Sequence, residues 1–112
     1  MELIQKRNDI IMSTQPEETY AEATKLEYKR PPLYKVILHN DDYTPMEFVV
    51  YILETIFHKT NEEANQLMMN VHINDATVCG VYPHGIAETK VVQVLDMAEQ
   101  NEYPLKCTLE KE

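Results

Sequence analysis

At 112 residues, the chain has room for one folded domain, large enough to be held by burial without disulfides or a structural metal. Ten Lys plus Arg against nineteen Asp plus Glu give a formal charge of −9, which opposes the basic surface that nucleic acid requires of a partner. The longest apolar run, the six residues Phe48 to Leu53, falls far short of the about 20 that cross a bilayer, so no membrane span is expected.

Met1 to Ser13 mix Glu2, Lys6, Arg7 and Asp9 with scattered apolar residues and lack the basic-then-apolar layout of a secretory signal. Residues 1–30 as a whole carry few large apolar residues at any regular period and end at Pro31-Pro32, the pattern of a flexible N-terminal arm. The proline pair forces extended backbone and opens a folded domain over residues 31–112. That domain holds five Lys and thirteen acidic residues, a net −8, so the acidic part is the folded part.

Leu33 to His39 is β-branched and apolar enough for a buried strand and stops at the turn formers Asn40-Asp41-Asp42. In Thr44-Pro45-Met46-Glu47 an N-cap Thr precedes Pro at the first helical position and Glu at the third, which predicts a capping box. From Met46 to Phe57 one stripe holds Met46, Val49, Val50, Leu53 and Phe57, and Phe48 and Ile52 add a second, so this helix is apolar on more than one side. Thr60-Asn61-Glu62-Glu63 repeats the capping pattern before a stripe of Ala64, Leu67, Met68 and Val71, with His72 on the face of Met68. Ala76 to Tyr82 reads as a strand and Pro83-His84-Gly85 as a turn. Ile86 to Asn101 reads as a helix with Val91, Val94, Leu95 and Ala98 inward, and Leu105 to Leu109 as a last strand. The order β-α-α-β-α-β predicts an α+β domain, a three-stranded antiparallel sheet with three helices on one face.

Cys79 and Cys107 belong to no CxxC pair and have no His at ligand spacing, which predicts free thiols in a reducing cytoplasm. Asn40-Asp41-Asp42 ends a strand and precedes a helix, beside a rigid apolar wall. On one reading these residues simply make the turn and offset the positive helix end. Two carboxylates are also the raw material of acid–base catalysis or, with His39 and His72, of a metal site. Neither an HExxH nor an EF-hand pattern is present, and no Ser or Cys stands in a nucleophile motif. The chain is therefore expected to be a binding module without a cofactor rather than an enzyme.

YKVILHNDDYTPMEFVVYIL from Tyr34, then ANQLMMNVH, CGVY, AETKV and PLKCTLEK, resemble the ClpS family of bacterial Clp protease adaptors over essentially residues 31–112. The resemblance implies the same β-α-α-β-α-β fold, shared with the C-terminal domain of ribosomal protein L7/L12. It also implies recognition of the N-degron, a protein whose first residue is Leu, Phe, Tyr or Trp. A free α-amine, with a pKa of about 7.7–8.0, is mostly an ammonium with three donors at neutral pH and needs acceptors. By resemblance Asn40, Asp42 and His72 hold it directly or through water, with Asp41 near the first peptide unit. A pocket for the first side chain is then lined by Thr44, Met46, Val49, Met68, Val71 and Leu105. The thioether of Met suits a pocket that must fit several shapes. Glu88, Thr89 and Lys90 belong by resemblance to the surface that docks a monomeric adaptor on the N-terminal domain of a ClpA- or ClpC-like AAA+ ATPase, which also engages the arm. His84-Gly85 departs from the pattern, since some members carry an acidic residue there. The rival expectation is an L7/L12-like recruitment domain with the same fold and no peptide pocket.

Overall fold

The computed structural model describes residues 31–112; the expected arm, 1–30, lies outside them. The elements are β1 (Leu33–His39), α1 (Met46–Thr55), α2 (Asn61–Asn74), β2 (Ala76–Pro83), α3 (His84–Gln100) and β3 (Lys106–Lys111), the expected order. No helix among the described residues is long and apolar enough to cross a membrane.

β1 is the middle strand of a three-stranded sheet, order β2-β1-β3, antiparallel to both neighbours. Alternation along a strand sends successive side chains to opposite faces. In β1 it buries Val36 and Leu38 completely while Lys35, Ile37 and His39 turn the other way. Leu38 pairs with Cys107 and Val36 with Leu109 in β3, and Cys79 of β2 is buried beside them. A register shift between Val36 and Ile37 bends the β1–β2 pairing. All three helices close over the Val36–Leu38 face: Val49, Ile52 and Leu53 of α1, Ala64 and Val71 of α2, and Ala87, Val94 and Ala98 of α3 are all buried in one cluster. The small Ala87 and Ala98 let α3 lie close against the sheet. The opposite face is open, and there His39 Nε2 meets Thr108 Oγ1 at 2.8 Å. His39 is thus separated from Asn40-Asp41-Asp42 by the sheet's own alternation.

The second apolar stripe of α1 has its own partner. Phe48 packs edge-on against Tyr103, ring centroids 4.8 Å apart, on the connection from α3 to β3. Four details differ from the sequence expectation. Leu95, read as inward, is 40% exposed, because the narrow Ala87–Val94–Ala98 seam leaves it on the flank. α1 ends at Thr55, yet Ile56 and Phe57 remain buried, because the chain turns inward through His58, whose φ is 57°. Pro83-His84-Gly85 is not a free turn; Pro83 ends β2 and His84 opens α3. β3 runs Lys106–Lys111, one residue later at its start than predicted, because Leu105 is turned into the core at 4% exposure.

Candidate functional site

The end of β1 and the end of α2 are clasped together. Asn40 N–H donates to the carbonyl of Asp75 at 2.8 Å, and Asp75, in left-handed conformation, is the residue that closes α2. The clasp brings Asn40 beside the last turn of α2, which carries His72.

Asp41 shapes the chain between this clasp and α1. Its Oδ1 accepts the backbone N–H groups of Tyr43 and Thr44, each at 2.8 Å, and its Oδ2 accepts the Thr44 hydroxyl at 2.7 Å. This is an Asx-type turn, in which a carboxylate takes the place of a backbone acceptor. Burial tends to raise the Asp41 pKa, but the three hydrogen bonds from Thr44 and Tyr43 outweigh it and hold the carboxyl below its ordinary range. The predicted Thr44–Glu47 capping box does not form. α1 starts without a side-chain cap, because the Thr44 hydroxyl is spent on the stronger, charged acceptor. The box predicted at Thr60 does form, with Glu63 N–H to Thr60 Oγ1 at 3.1 Å and Thr60 N–H to Glu63 Oε1 at 3.0 Å.

Between this turn, the start of α1 and the end of α2 lies a cavity of about 240 Å³, lined by Asn40, Asp41, Asp42, Thr44, Met46, Val49, Met68, Val71 and His72. Val49 and Val71 are 6% and 3% exposed and form an apolar floor; Met46, 44% exposed, is a movable wall. Asn40, Asp42 and His72 stand exposed at the rim. The volume is below the about 300–1,000 Å³ of pockets that enclose whole small molecules and is on the scale of one side chain. Polar acceptors above an apolar well suit a ligand with a cationic head and an apolar body.

The structure brings nine of the ten residues expected at the amine and side-chain sites to this one cavity. Leu105 is the exception: it is core and does not line the cavity, because its side chain is taken up by packing ahead of β3. Of the residues expected at a docking surface, Glu88 and Thr89 are exposed, with the Thr89 hydroxyl donating to the Gly85 carbonyl at 3.0 Å. Lys90 is committed within the fold. Its Nζ donates to the Ile56 carbonyl at 2.6 Å and lies 5.7 Å from the centre of the Tyr82 ring, so it caps the carboxyl end of α1. A larger concavity of about 450 Å³, between the end of α1 and α3, includes Ile56, His58, Lys90, Gln93 and Asp96. It is larger than the Asn40–His72 cavity, but Asp96 is the only carboxylate in its lining and Lys90 brings a charge of the same sign as an ammonium. Sequence reasoning placed a turn at Asn40-Asp41-Asp42 but missed the Asp41–Thr44 bonding that builds it and the Asn40–Asp75 clasp; the spacing Asp41-x-x-Thr44 is the signal that would have revealed the first.

A family model described as ATP-dependent Clp protease adaptor protein ClpS matches residues 29–108. The ATP-dependent Clp protease adapter protein ClpS of Hyphomonas neptunium is 53% identical over 92 residues, 82% of this chain and 78% of the relative. That of Rhodospirillum centenum is 56% identical over 84 residues, 75% of this chain and 78% of the relative. Among solved structures, Agrobacterium tumefaciens ClpS2 bound to L-phenylalaninamide superposes with a TM-score of 0.72 at 41% identity, covering 74% of this chain and all of that one.

Proposed function

This chain belongs to the ClpS family of ATP-dependent Clp protease adaptors, and on that premise we propose that it grips proteins by an N-terminal Leu, Phe, Tyr or Trp and hands them to a Clp AAA+ ATPase for degradation. The observation that carries this reading is the union, in one side-chain-sized cavity, of the Asn40, Asp42 and His72 rim with the Val49–Val71 floor. The L-phenylalaninamide bound by the Agrobacterium relative has the chemistry such a cavity would take: a free amine and one apolar side chain.

Burying a Leu or aromatic side chain gains about 1.5–3 kcal/mol, and each charge-assisted hydrogen bond to the ammonium about 1.5–3 kcal/mol. These gains are of the same order as the about 4–15 kcal/mol that association costs. No step of bond chemistry is needed for this role, so binding alone accounts for it; the free, buried thiols of Cys79 and Cys107 fit a reducing cytoplasm, where the adaptor acts as a monomer. Glu88 and Thr89 on α3, with Lys90 at the base of the same helix turn, supply the surface for the N-terminal domain of a ClpA- or ClpC-like ATPase, and residues 1–30 supply the segment that the ATPase engages.

Calorimetric titration with a Phe- or Leu-initiated peptide, free and N-acetylated, tests the reading. Acetylation removes the charge and the donors, so binding is expected to vanish with it. Equal affinity for the two peptides would overturn the amine clamp.

A further inference from the structure

The two adjacent carboxylates at the cavity are in opposite hydrogen-bonding states. A carboxylate offers about four acceptor positions, two per oxygen. Three of those on Asp41 are occupied from within its own turn, by Tyr43 N–H, Thr44 N–H and the Thr44 hydroxyl. Among the described residues Asp42 accepts none of the side-chain hydrogen bonds, and it is exposed where Asp41 is half-buried.

We propose that Asp41 is a positioning residue: it acts through Thr44 and the 41–44 turn to hold Asn40, Asp42 and the start of α1 around the cavity. The inference rests on the proposed N-degron reading and divides the labour within it. Its physical basis is that the turn carries the rim and also hands the chain into α1. The N-cap position of α1, Pro45, supplies no side-chain cap, so the fold places the first turn of the helix by Asp41 from outside it. Met46 and Val49, two of the cavity's apolar residues, stand on that first turn. Thr44 is the second half of the device. Its hydroxyl proton is directed at Asp41, so hydroxyl and carboxylate are coupled and neither works alone.

A brace needs acceptors in the right place, not charge. In Asp41→Asn the amide oxygen can still accept the Tyr43 and Thr44 N–H groups, and the amide NH2 can donate to the Thr44 oxygen. Asp42→Asn, by contrast, removes the charge that faces the ligand. We expect Asp41→Ala to weaken binding of a Phe-initiated peptide by roughly tenfold or more, the effect of losing several coupled hydrogen bonds. Asp41→Asn should stay within about threefold of the parent, while Asp42→Asn should lose about tenfold or more, as for a bond to a charged group. Thr44→Val should weaken binding, Thr44→Ser should restore it, and Asp41→Ala with Thr44→Val should be no worse than Asp41→Ala alone, the sign of a shared mechanism.

Amide hydrogen exchange at Tyr43 and Thr44, followed by NMR without peptide, reads the brace directly. Both amides should exchange faster in Asp41→Ala and keep their protection in Asp41→Asn. Asp41→Asn as damaging to binding as Asp41→Ala, or additive effects of Asp41 and Thr44, would overturn the proposal, as would unchanged exchange at the two amides in Asp41→Ala. Failure of the underlying function is separately visible, since the unmodified protein would then bind free and acetylated peptides alike while the exchange pattern still judged the turn.

Discussion

Met46 shows how a single residue can be read wrongly as core. Its place on the apolar stripe of α1 makes it indistinguishable in sequence from Val49 or Leu53, but Val49 is buried and Leu53 completely so, whereas Met46 is 44% exposed and lines the cavity. Met46→Ala is therefore expected to cost well under the about 2–5 kcal/mol of a core Met→Ala change. The same substitution opens space beside the ligand's Cβ. A stiff β-branched side chain is crowded there by the thioether, so the variant should gain Ile- and Val-initiated peptides by about 1–3 kcal/mol and keep Leu and Phe. Urea unfolding and peptide titration on the same variant check both halves; a large loss of stability with no broadening would mean that Met46 is core after all. Asn40, Asp42 and His72 were legible through the family resemblance, since residue type and position alone left a plain turn open. Leu105 was not, since nothing in PLKCT says which side of the chain the core lies on.

The start of α2 is the helix boundary easiest to read, and the reason is chemical. The Thr60–Glu63 box announces α2 through two side chains that each satisfy the other's backbone donor. The ends carry no such signal here. The left-handed residues that follow α1 and α2, and the one at the end of α3, are His58, Asp75 and Glu102, while neither of the two glycines has a positive φ. A glycine-based rule for helix stops therefore has nothing to find, and the apolar pattern overruns the end of α1 by two residues. His58→Gly should relieve left-handed strain of about 1–2 kcal/mol against the extra chain entropy of glycine, about 0.5–1 kcal/mol. A small net stabilisation is expected, visible as a higher urea midpoint with an unchanged slope. Thr60→Ala should lower stability by about 0.5–2 kcal/mol. A lower midpoint for His58→Gly would mean that the imidazole makes contacts worth more than the strain.

At the scale of the molecule, the fold class followed from element order, because six short elements whose apolar patterns all include one core-facing side have few ways to share one core. Sheet order could not be read, since pairing is set by contacts far apart in sequence. The middle position of β1 places Cys79 and Cys107 on either side of Leu38, 1% and 4% exposed. Burial pushes both thiols up to about 12. A raised folded pKa favours the neutral thiol, so this contribution to stability is complete below the unfolded thiol's about 8.5 and is lost as pH rises toward 12. Only the thiolate alkylates, so iodoacetamide at pH 8 should label both cysteines at the rate of global opening, measured against hydrogen exchange of β1 amides; faster labelling would show local fraying of β2 or β3. The same topology has a mechanical meaning. Glu112 N–H donates to the Leu33 carbonyl at 2.9 Å, so β1 begins where β3 finishes, and force applied between those two points would unzip their ladder one bond at a time. Pulling Leu33 against Ala76 or Lys106, which both face His39 at the far end of the sheet, would load a row of hydrogen bonds together in shear. The domain is compliant along one axis and stiff along another, and the direction of a tug, more than its strength, decides whether it yields.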